Sequence, residues 1–165
     1  MKKLVSLFVV LCVISTSYAQ EFELPKNYKL VKAEDYDTYA QDFVKATKWI
    51  TNTPLSEETT KRKDTYAFIM KWLQGSPKVS ITISQDIATF IESSDCLIVY
   101  MAGWGAYCVE NDDYKDNLKG NVSGIESVIS FYNRNKGLLG KIKAVEKYKK
   151  LQKKGKLASY IESKL

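Results

Sequence analysis

The segment from Cys96 to Val109, CLIVYMAGWGAYCV, constrains this chain most, because its fourteen residues include no charged side chain. A helix of this length is too short to cross a bilayer, which takes about 20 apolar residues. A helix that is apolar on every side is instead one surrounded by other helices. The segment therefore predicts a central buried helix in a domain whose other helices pack around it.

Helical periodicity also precedes this segment. Apolar residues recur every three or four positions between Ala33 and Asn52 and again between Ser56 and Gly75, with acidic residues in each first turn. Ser84 favours a further short helix over Gln85–Glu92, because serine is a good N-cap. The alternation in KVSITI, from Lys78 to Ile83, also fits a short strand.

Three shorter amphipathic stretches follow the apolar segment. The first runs from Ile125 to Gly137, the second from Leu138 to Gly155, and the third from Leu157 to Leu165. The sum predicts an all-α fold, a compact bundle of about six or seven short helices around Cys96 to Val109.

The first nineteen residues have the order of a secretory signal. Two lysines precede an apolar stretch, and the small-x-small site Ser17-Tyr18-Ala19 follows, so cleavage would leave Gln20 first. The form resembles the signals of exported proteins of Bacteroidota-type Gram-negative bacteria. A lipoprotein anchored through Cys12 is the weaker alternative, because Leu11 stands where lipoprotein signals have a small residue. We expect a periplasmic or extracellular protein with no transmembrane anchor after cleavage.

The remaining chain divides into an arm and a domain. Residues 20–33 contain Pro25 and no helical stripe, which predicts an extended N-terminal arm. Residues 34–165 are predicted to form the helical domain. Cys96 and Cys108 would lie about 18 Å apart on one continuous helix, beyond disulfide reach, so two buried free thiols are expected. A disulfide is the alternative if the segment bends back on itself, because an exported protein can be oxidised.

A Lys-Trp pair occurs twice, in KWITNTPLS from Lys48 and in KWLQGSPKVS from Lys71. One interpretation is a recognition motif used twice. The other is that each tryptophan packs over the proline that ends its helix. Because the two helices are joined by a short connection, they should run antiparallel and place Trp49 and Trp72 at opposite ends. That geometry favours two helix ends over one shared site.

The absence of histidine excludes several chemistries. The chain contains no histidine, so Ser-His-Asp and Cys-His arrangements and histidine-ligated zinc are ruled out. The tripeptide Gly103-Trp104-Gly105 lacks the third glycine of a dinucleotide fingerprint. Its glycines fit close helix packing, or else a small ligand pocket lined by Tyr100, Trp104 and Tyr107. We expect no cofactor and no metal site.

Carboxylate chemistry does not need histidine, since a glycosidase uses only a pair of acids. The candidates lie in the polar stretch after the apolar segment: Glu110, Asp112, Asp113 and Asp116. Their spacing does not match a calcium-binding loop, and such a cluster is typical of a solvated loop.

Charge is distributed unevenly along the chain. Residues 134–165 hold eleven basic and two acidic side chains, a net of +9, whereas residues 21–133 hold twelve basic and seventeen acidic, a net of −5. A basic pole outside the cytoplasm can meet anionic lipid, acidic polysaccharide or an acidic protein. Nucleic acid is not expected there, and a solvated lysine face is the alternative interpretation. The basic surface centres on five lysines: Lys147, Lys149, Lys150, Lys153 and Lys154.

Three functional hypotheses follow from these features. The main one is a non-enzymatic binding or structural module of the bacterial cell envelope, whose partner is an envelope protein or an anionic envelope component. The second is a carboxylate-dependent hydrolase of an envelope glycan. The third is a surface-associated protein that binds anionic lipid or polysaccharide through its lysine-rich C-terminal end.

Overall fold

The computed structural model describes residues 22–165 and confirms the all-α fold. Within that range the chain forms seven helices and no strand. The signal predicted for residues 1–19 and the cleavage point at Gln20 lie outside the described residues. The helices are α1 (Ala33–Thr38), α2 (Ala40–Asn52), α3 (Thr59–Gly75), α4 (Ser94–Asn111), α5 (Asn117–Leu139), α6 (Lys143–Lys153) and α7 (Leu157–Glu162).

The apolar segment forms most of α4. The Ser93 hydroxyl accepts a hydrogen bond from the Cys96 N–H at 3.4 Å and caps the first turn. Nine of the eighteen residues of α4 are buried, and they are distributed around the whole helix, which contacts α2, α3 and α5. Among residues 22–165, no helix has both the length and the apolar character that a membrane span requires.

Glycines allow α4 and α5 to lie close together. A Cβ atom at Gly124 of α5 would stand 2.7 Å from the Tyr100 carbonyl oxygen, and one at Gly103 of α4 would stand 2.7 Å from the Ser127 Cβ. Across this contact the Ser123 hydroxyl donates to the Gly103 carbonyl at 3.1 Å. The two helices therefore meet backbone to backbone, which side chains larger than hydrogen at these positions would prevent.

Both cysteines are free and buried on α4, as predicted. Burial raises the pKa of the Cys96 thiol and raises that of Cys108 to about 11. Both thiols are therefore protonated at neutral pH, and a protonated thiol is a poor nucleophile.

A buried arginine joins α2 to α3. The Arg62 side chain, 5% exposed, donates to three carbonyls at the end of α2: Ile50 at 3.1 Å, Thr53 at 2.6 Å and Pro54 at 3.1 Å. The residue four positions after Ile50 is Pro54, which has no N–H, so the guanidinium supplies the partner that the Ile50 carbonyl lacks. It shares the Pro54 carbonyl with the Glu57 N–H, which donates at 3.0 Å. The charge also lies over the Trp49 ring, 5.3 Å from its centroid. Arg62 of α3 thus caps the C-terminus of α2.

The two Lys-Trp pairs have different surroundings. Trp72 is buried, stacks on Phe43 with ring centroids 4.0 Å apart, and donates from Nε1 to the Tyr36 carbonyl at 3.0 Å. Trp49 is half-buried beneath Arg62 and lies 5.9 Å from Phe22 of the arm. Each tryptophan therefore has its own packing role.

The arm, described from residue 22, contains no helix before Ala33. Its Phe22 and Leu30 are buried, and the Tyr28 ring meets Phe68 edge-on at 4.8 Å. The Tyr36 hydroxyl donates to the Leu30 carbonyl at 3.3 Å. The arm therefore covers the α2–α3 side of the bundle.

Two helix boundaries before the apolar segment differ from prediction. The helix predicted from Ala33 to Asn52 is interrupted at Tyr39, although Tyr39 still donates to the Asp35 carbonyl at 3.1 Å and accepts from the Phe43 N–H at 2.9 Å. The next helix begins at Thr59 rather than after Ser56, because Pro54 and Glu57 form a turn and Glu58 takes a positive φ of 45°.

The short helix predicted over Gln85–Glu92 is wrong, and so is the alternative strand from Lys78 to Ile83. The chain makes successive turns instead, with Ile91 N–H bonded to Ala88 rather than to Ile87. The Ile87 carbonyl accepts two hydrogen bonds, one from the Thr89 N–H at 2.9 Å and one from the buried Tyr148 hydroxyl, so it is not free for a helical bond.

The prediction that Gly137 ends a helix is wrong. α5 runs through it to Leu139, since a lone glycine costs a helix only about 1 kcal/mol. The helix ends instead at Gly140, whose φ is 67°. α6 then begins at Lys143 rather than near Leu138, and Gly155, with φ of 64°, follows its end as predicted.

Replacing Gly124 by alanine should lower the free energy of unfolding by at least about 1 kcal/mol, because the new Cβ atom meets the α4 backbone. Gly137→Ala in the same helix is the matched control, since nothing lies within 4 Å of its Cβ position. The control should stabilise the protein by about 0.5–1 kcal/mol through helix propensity. Urea unfolding followed by circular dichroism measures both, and equal effects would contradict close packing at Gly124.

Candidate functional site

Two of the three aromatic residues of the predicted pocket, Tyr100 and Trp104, lie in the α4–α5 contact. Tyr100 is fully buried and Trp104 is 3% exposed. Their rings fill the space beside Gly124 and Gly120, where added Cβ atoms would stand 2.6 Å from the Tyr100 ring and 2.1 Å from the Trp104 indole nitrogen. The Tyr100 hydroxyl also donates to the Asn121 side chain. These contacts are those of a helix interface, and they give no support to a ligand pocket.

The two glycines of that prediction face different neighbours. Gly103 faces α5, whereas a Cβ atom at Gly105 would stand 2.8 Å from Leu73 of α3 and 2.9 Å from Phe43 of α2. The pair therefore lets α4 approach neighbours on two sides.

The four candidate carboxylates each have a local structural setting. Asp113 accepts from the hydroxyl of the half-buried Tyr107 at 2.8 Å, and Asp116 caps α5 by accepting from the Lys119 N–H at 2.9 Å. Glu110 pairs with Lys48 at 2.6 Å, and Asp112 ends α4 with a positive φ of 49°. The carboxylates of Asp113, Asp116 and Glu110 are therefore engaged in contacts that stabilise this part of the chain.

Hydrogen bonding lowers the pKa of two of these acids. The Tyr107 hydroxyl is the main cause for the lowered pKa of Asp113, and the Lys119 N–H is the main cause for that of Asp116. A glycosidase needs one carboxyl with a raised pKa to act as the general acid. These two acids are shifted in the opposite direction. Among the described residues, no group of three or more potential Asp, Glu or Cys ligands is placed to hold a metal ion.

The basic C-terminal part contains a groove on the outer side of α6. The groove has a volume of about 380 Å³ and is open to solvent. We call it the α6 groove, and its lining residues are Lys141, Lys143, Glu146, Lys147, Lys150, Leu151 and Lys154.

Helical spacing explains the row of lysines. Lys143, Lys147 and Lys150 of α6 and Lys154 at its C-cap are separated by four, three and four residues, so they share one side of the helix and its C-terminal end. Eleven residues at 1.5 Å each give the row a length of about 16 Å. On the opposite face, Val145 and Tyr148 are buried in the core and fix the orientation of α6.

The predicted basic surface is divided by the fold. Lys147, Lys150 and Lys154 line the α6 groove, whereas Lys149 lies 5.5 Å from the Tyr132 ring and Lys153 is exposed outside the groove. Sequence reasoning did not select Lys141 and Lys143, which complete the groove. The four-three-four spacing that begins at Lys143 was visible in the sequence and could have identified Lys143 as part of the row.

The lysines of the α6 groove are not neutralised by the acidic half of the chain. Within residues 22–165, the ion pair formed by the basic segment 134–165 is Lys136–Glu146, and none joins a groove lysine to a carboxylate. Glu146 is held by Lys136 and by the Tyr132 hydroxyl, which donates at 3.0 Å. Lys147 lies over the Tyr160 ring, 4.2 Å from its centroid. The groove therefore carries an excess of positive charge, since its one acidic residue, Glu146, is paired with Lys136 outside it.

Searches against protein-family models, curated proteins and solved structures each gave no match to this chain.

Acidification should destabilise the protein, in part through the loop that contains Asp113 and Asp116. Both pKa values are lowered in the folded chain, so the unfolded chain takes up protons first as the pH falls. The stabilisation is complete above the ordinary aspartate pKa of 3.8 and is lost as the pH falls through the lowered values. The melting temperature as a function of pH measures this loss. Asp113→Asn should lower the melting temperature near neutral pH and weaken its acid dependence; an unchanged profile would contradict the role of Asp113.

Proposed function

We propose that this protein is an exported, non-enzymatic binding module of the bacterial cell envelope, and that the α6 groove binds a linear acidic polysaccharide. The observation that carries this function is the row of Lys143, Lys147, Lys150 and Lys154 on one helix face, without carboxylate partners among the described residues. Export is supported by the signal pattern of residues 1–19.

The spacing of the lysines fits a linear polymer. Neighbouring lysines of the row are one helical turn apart, about 5–6 Å, so anionic groups repeated along a chain can each approach one ammonium group. Lysine acts as a compact point charge, whereas arginine offers a planar fork suited to bidentate binding of phosphate. The groove is therefore suited to attraction of a charged chain and not to recognition of a single phosphate.

A membrane surface fits α6 less well. Helices that lie in a lipid interface bury an apolar face among the acyl chains. The apolar face of α6, with Val145 and Tyr148, is already buried against the protein core. The exposed side is a concave groove with a single aliphatic residue, Leu151, in its lining. Nothing on this side of the helix is suited to insertion into lipid.

The test is binding of polygalacturonate, an acidic polysaccharide, by the purified protein in isothermal titration calorimetry. The triple variant Lys147→Gln, Lys150→Gln, Lys154→Gln should bind roughly a hundredfold more weakly, at about 1 kcal/mol for each lysine near an anionic surface. Wild-type affinity should fall as ionic strength rises, because salt screens exposed charges.

The matched control is Lys26→Gln, Lys29→Gln, Lys63→Gln, which removes three exposed lysines from the other part of the chain. It should retain wild-type affinity. Equal losses in the two triple variants would show that net charge alone governs binding, and would overturn a role for the α6 groove. Binding to phosphatidylglycerol vesicles or to an acidic protein, with none to polygalacturonate, would also overturn the polysaccharide assignment.

A further inference from the structure

A second cavity adjoins the α6 groove. It has a volume of about 480 Å³ and lies between residues 89–93, which lead into α4, and residues 139–144, which connect α5 to α6. We call it the loop cavity. Lys141 and Lys143 line both the loop cavity and the α6 groove, so the two are neighbours on the surface.

The loop cavity contains opposite charges that do not pair with each other. Glu92 lines it together with Lys141 and Lys143, and all three side chains are exposed. Among the described residues, none of the three takes part in an ion pair. A ligand can therefore meet both a carboxylate acceptor and ammonium donors in one cavity.

The remaining lining suits a sugar ring. The half-buried Leu139 and Ile142 supply apolar surface, and the exposed Thr89 supplies a further polar group. Ligand sites for small rings combine an apolar lining with a few polar groups, in cavities of about 300–1,000 Å³. Glu92 can accept hydrogen bonds from sugar hydroxyls, whereas it would repel a ligand that carries only negative charge.

Gly140 holds one wall of the cavity in an unusual backbone conformation. Its φ of 67° and ψ of −159° fall in a region that is essentially restricted to glycine. The residue ends α5 and directs Lys141 and Ile142 toward the loop that contains Glu92. Ile142 is fixed in turn by its N–H, which donates to the Tyr132 hydroxyl at 3.3 Å.

We infer that the loop cavity holds one carboxylated sugar residue of the bound polymer, with the sugar hydroxyls on Glu92 and its carboxylate on Lys141 and Lys143. This assignment rests on the proposed function, and it narrows the ligand to a uronic-acid polysaccharide as distinct from a polyanion without hydroxyl groups.

The test measures how one substitution, Glu92→Ala, changes the affinity of the protein for two polymers. Polygalacturonate carries hydroxyls and carboxylates, whereas polyphosphate carries negative charge alone. The variant should bind polygalacturonate roughly tenfold more weakly, because hydrogen bonds to a charged acceptor are lost. It should bind polyphosphate more tightly than wild type, because a like charge has been removed. Titration calorimetry gives both affinities.

Two further variants support the comparison. Glu92→Gln keeps an acceptor oxygen, so it should lose less polygalacturonate affinity than Glu92→Ala while still tightening polyphosphate binding. Glu57→Ala removes an exposed acid from the other part of the chain and should leave both affinities unchanged.

Each other outcome overturns the assignment. Tighter binding of both polymers by Glu92→Ala would mean that Glu92 acts only as a repelling charge. Unchanged binding of both would mean that no ligand group reaches it. In either case a loss of affinity in the Lys147, Lys150, Lys154 triple variant would keep the proposed function intact. Failure of the wild type to bind either polymer would overturn both the cavity assignment and the proposed function.

Discussion

The approach of α4 and α5 at Gly103 and Gly124 is the contact on which the rest of the structure depends. Tyr100 lies beside Gly124 and Trp104 beside Gly120, an order that makes the two helices antiparallel. The start of α4 and the end of α5 therefore lie at the same end of the bundle. Residues 89–93 lead into α4, and residues 139–144 connect the end of α5 to α6. The α4–α5 contact therefore brings the two walls of the loop cavity together.

Sequence reasoning succeeded where a single physical requirement governed a segment. A stretch without charge has to be buried, and Cys96 and Cys108 follow it into the core as free thiols. Lysines without nearby acids have to remain in solvent, and Lys147, Lys150 and Lys154 are exposed. In each case the local sequence and the tertiary structure favour the same outcome, so periodicity and composition suffice.

Sequence reasoning failed where a tertiary contact determined the local structure. The helix predicted at Gln85–Glu92 is replaced by turns, in which the Ile87 carbonyl accepts both from the nearby Thr89 N–H and from the hydroxyl of Tyr148, 61 residues away. The cavity that unites Glu92 with Lys141 has the same origin, since residues far apart in sequence meet only through α4 and α5. The sequence also did not predict which glycines pack against which aromatic rings, because Gly103-Trp104-Gly105 fitted both a ligand pocket and a helix-packing surface.

Arg62 has a consequence for the order of folding. The carbonyls of Ile50, in the last turn of α2, and of Thr53, just after it, accept hydrogen bonds from a side chain that belongs to α3, so they gain this partner only once α3 is in place. The guanidinium in turn loses its partners, and would be an unpaired charge in the core, if α2 frayed. We therefore expect the two helices to open as one cooperative unit and not as separate segments.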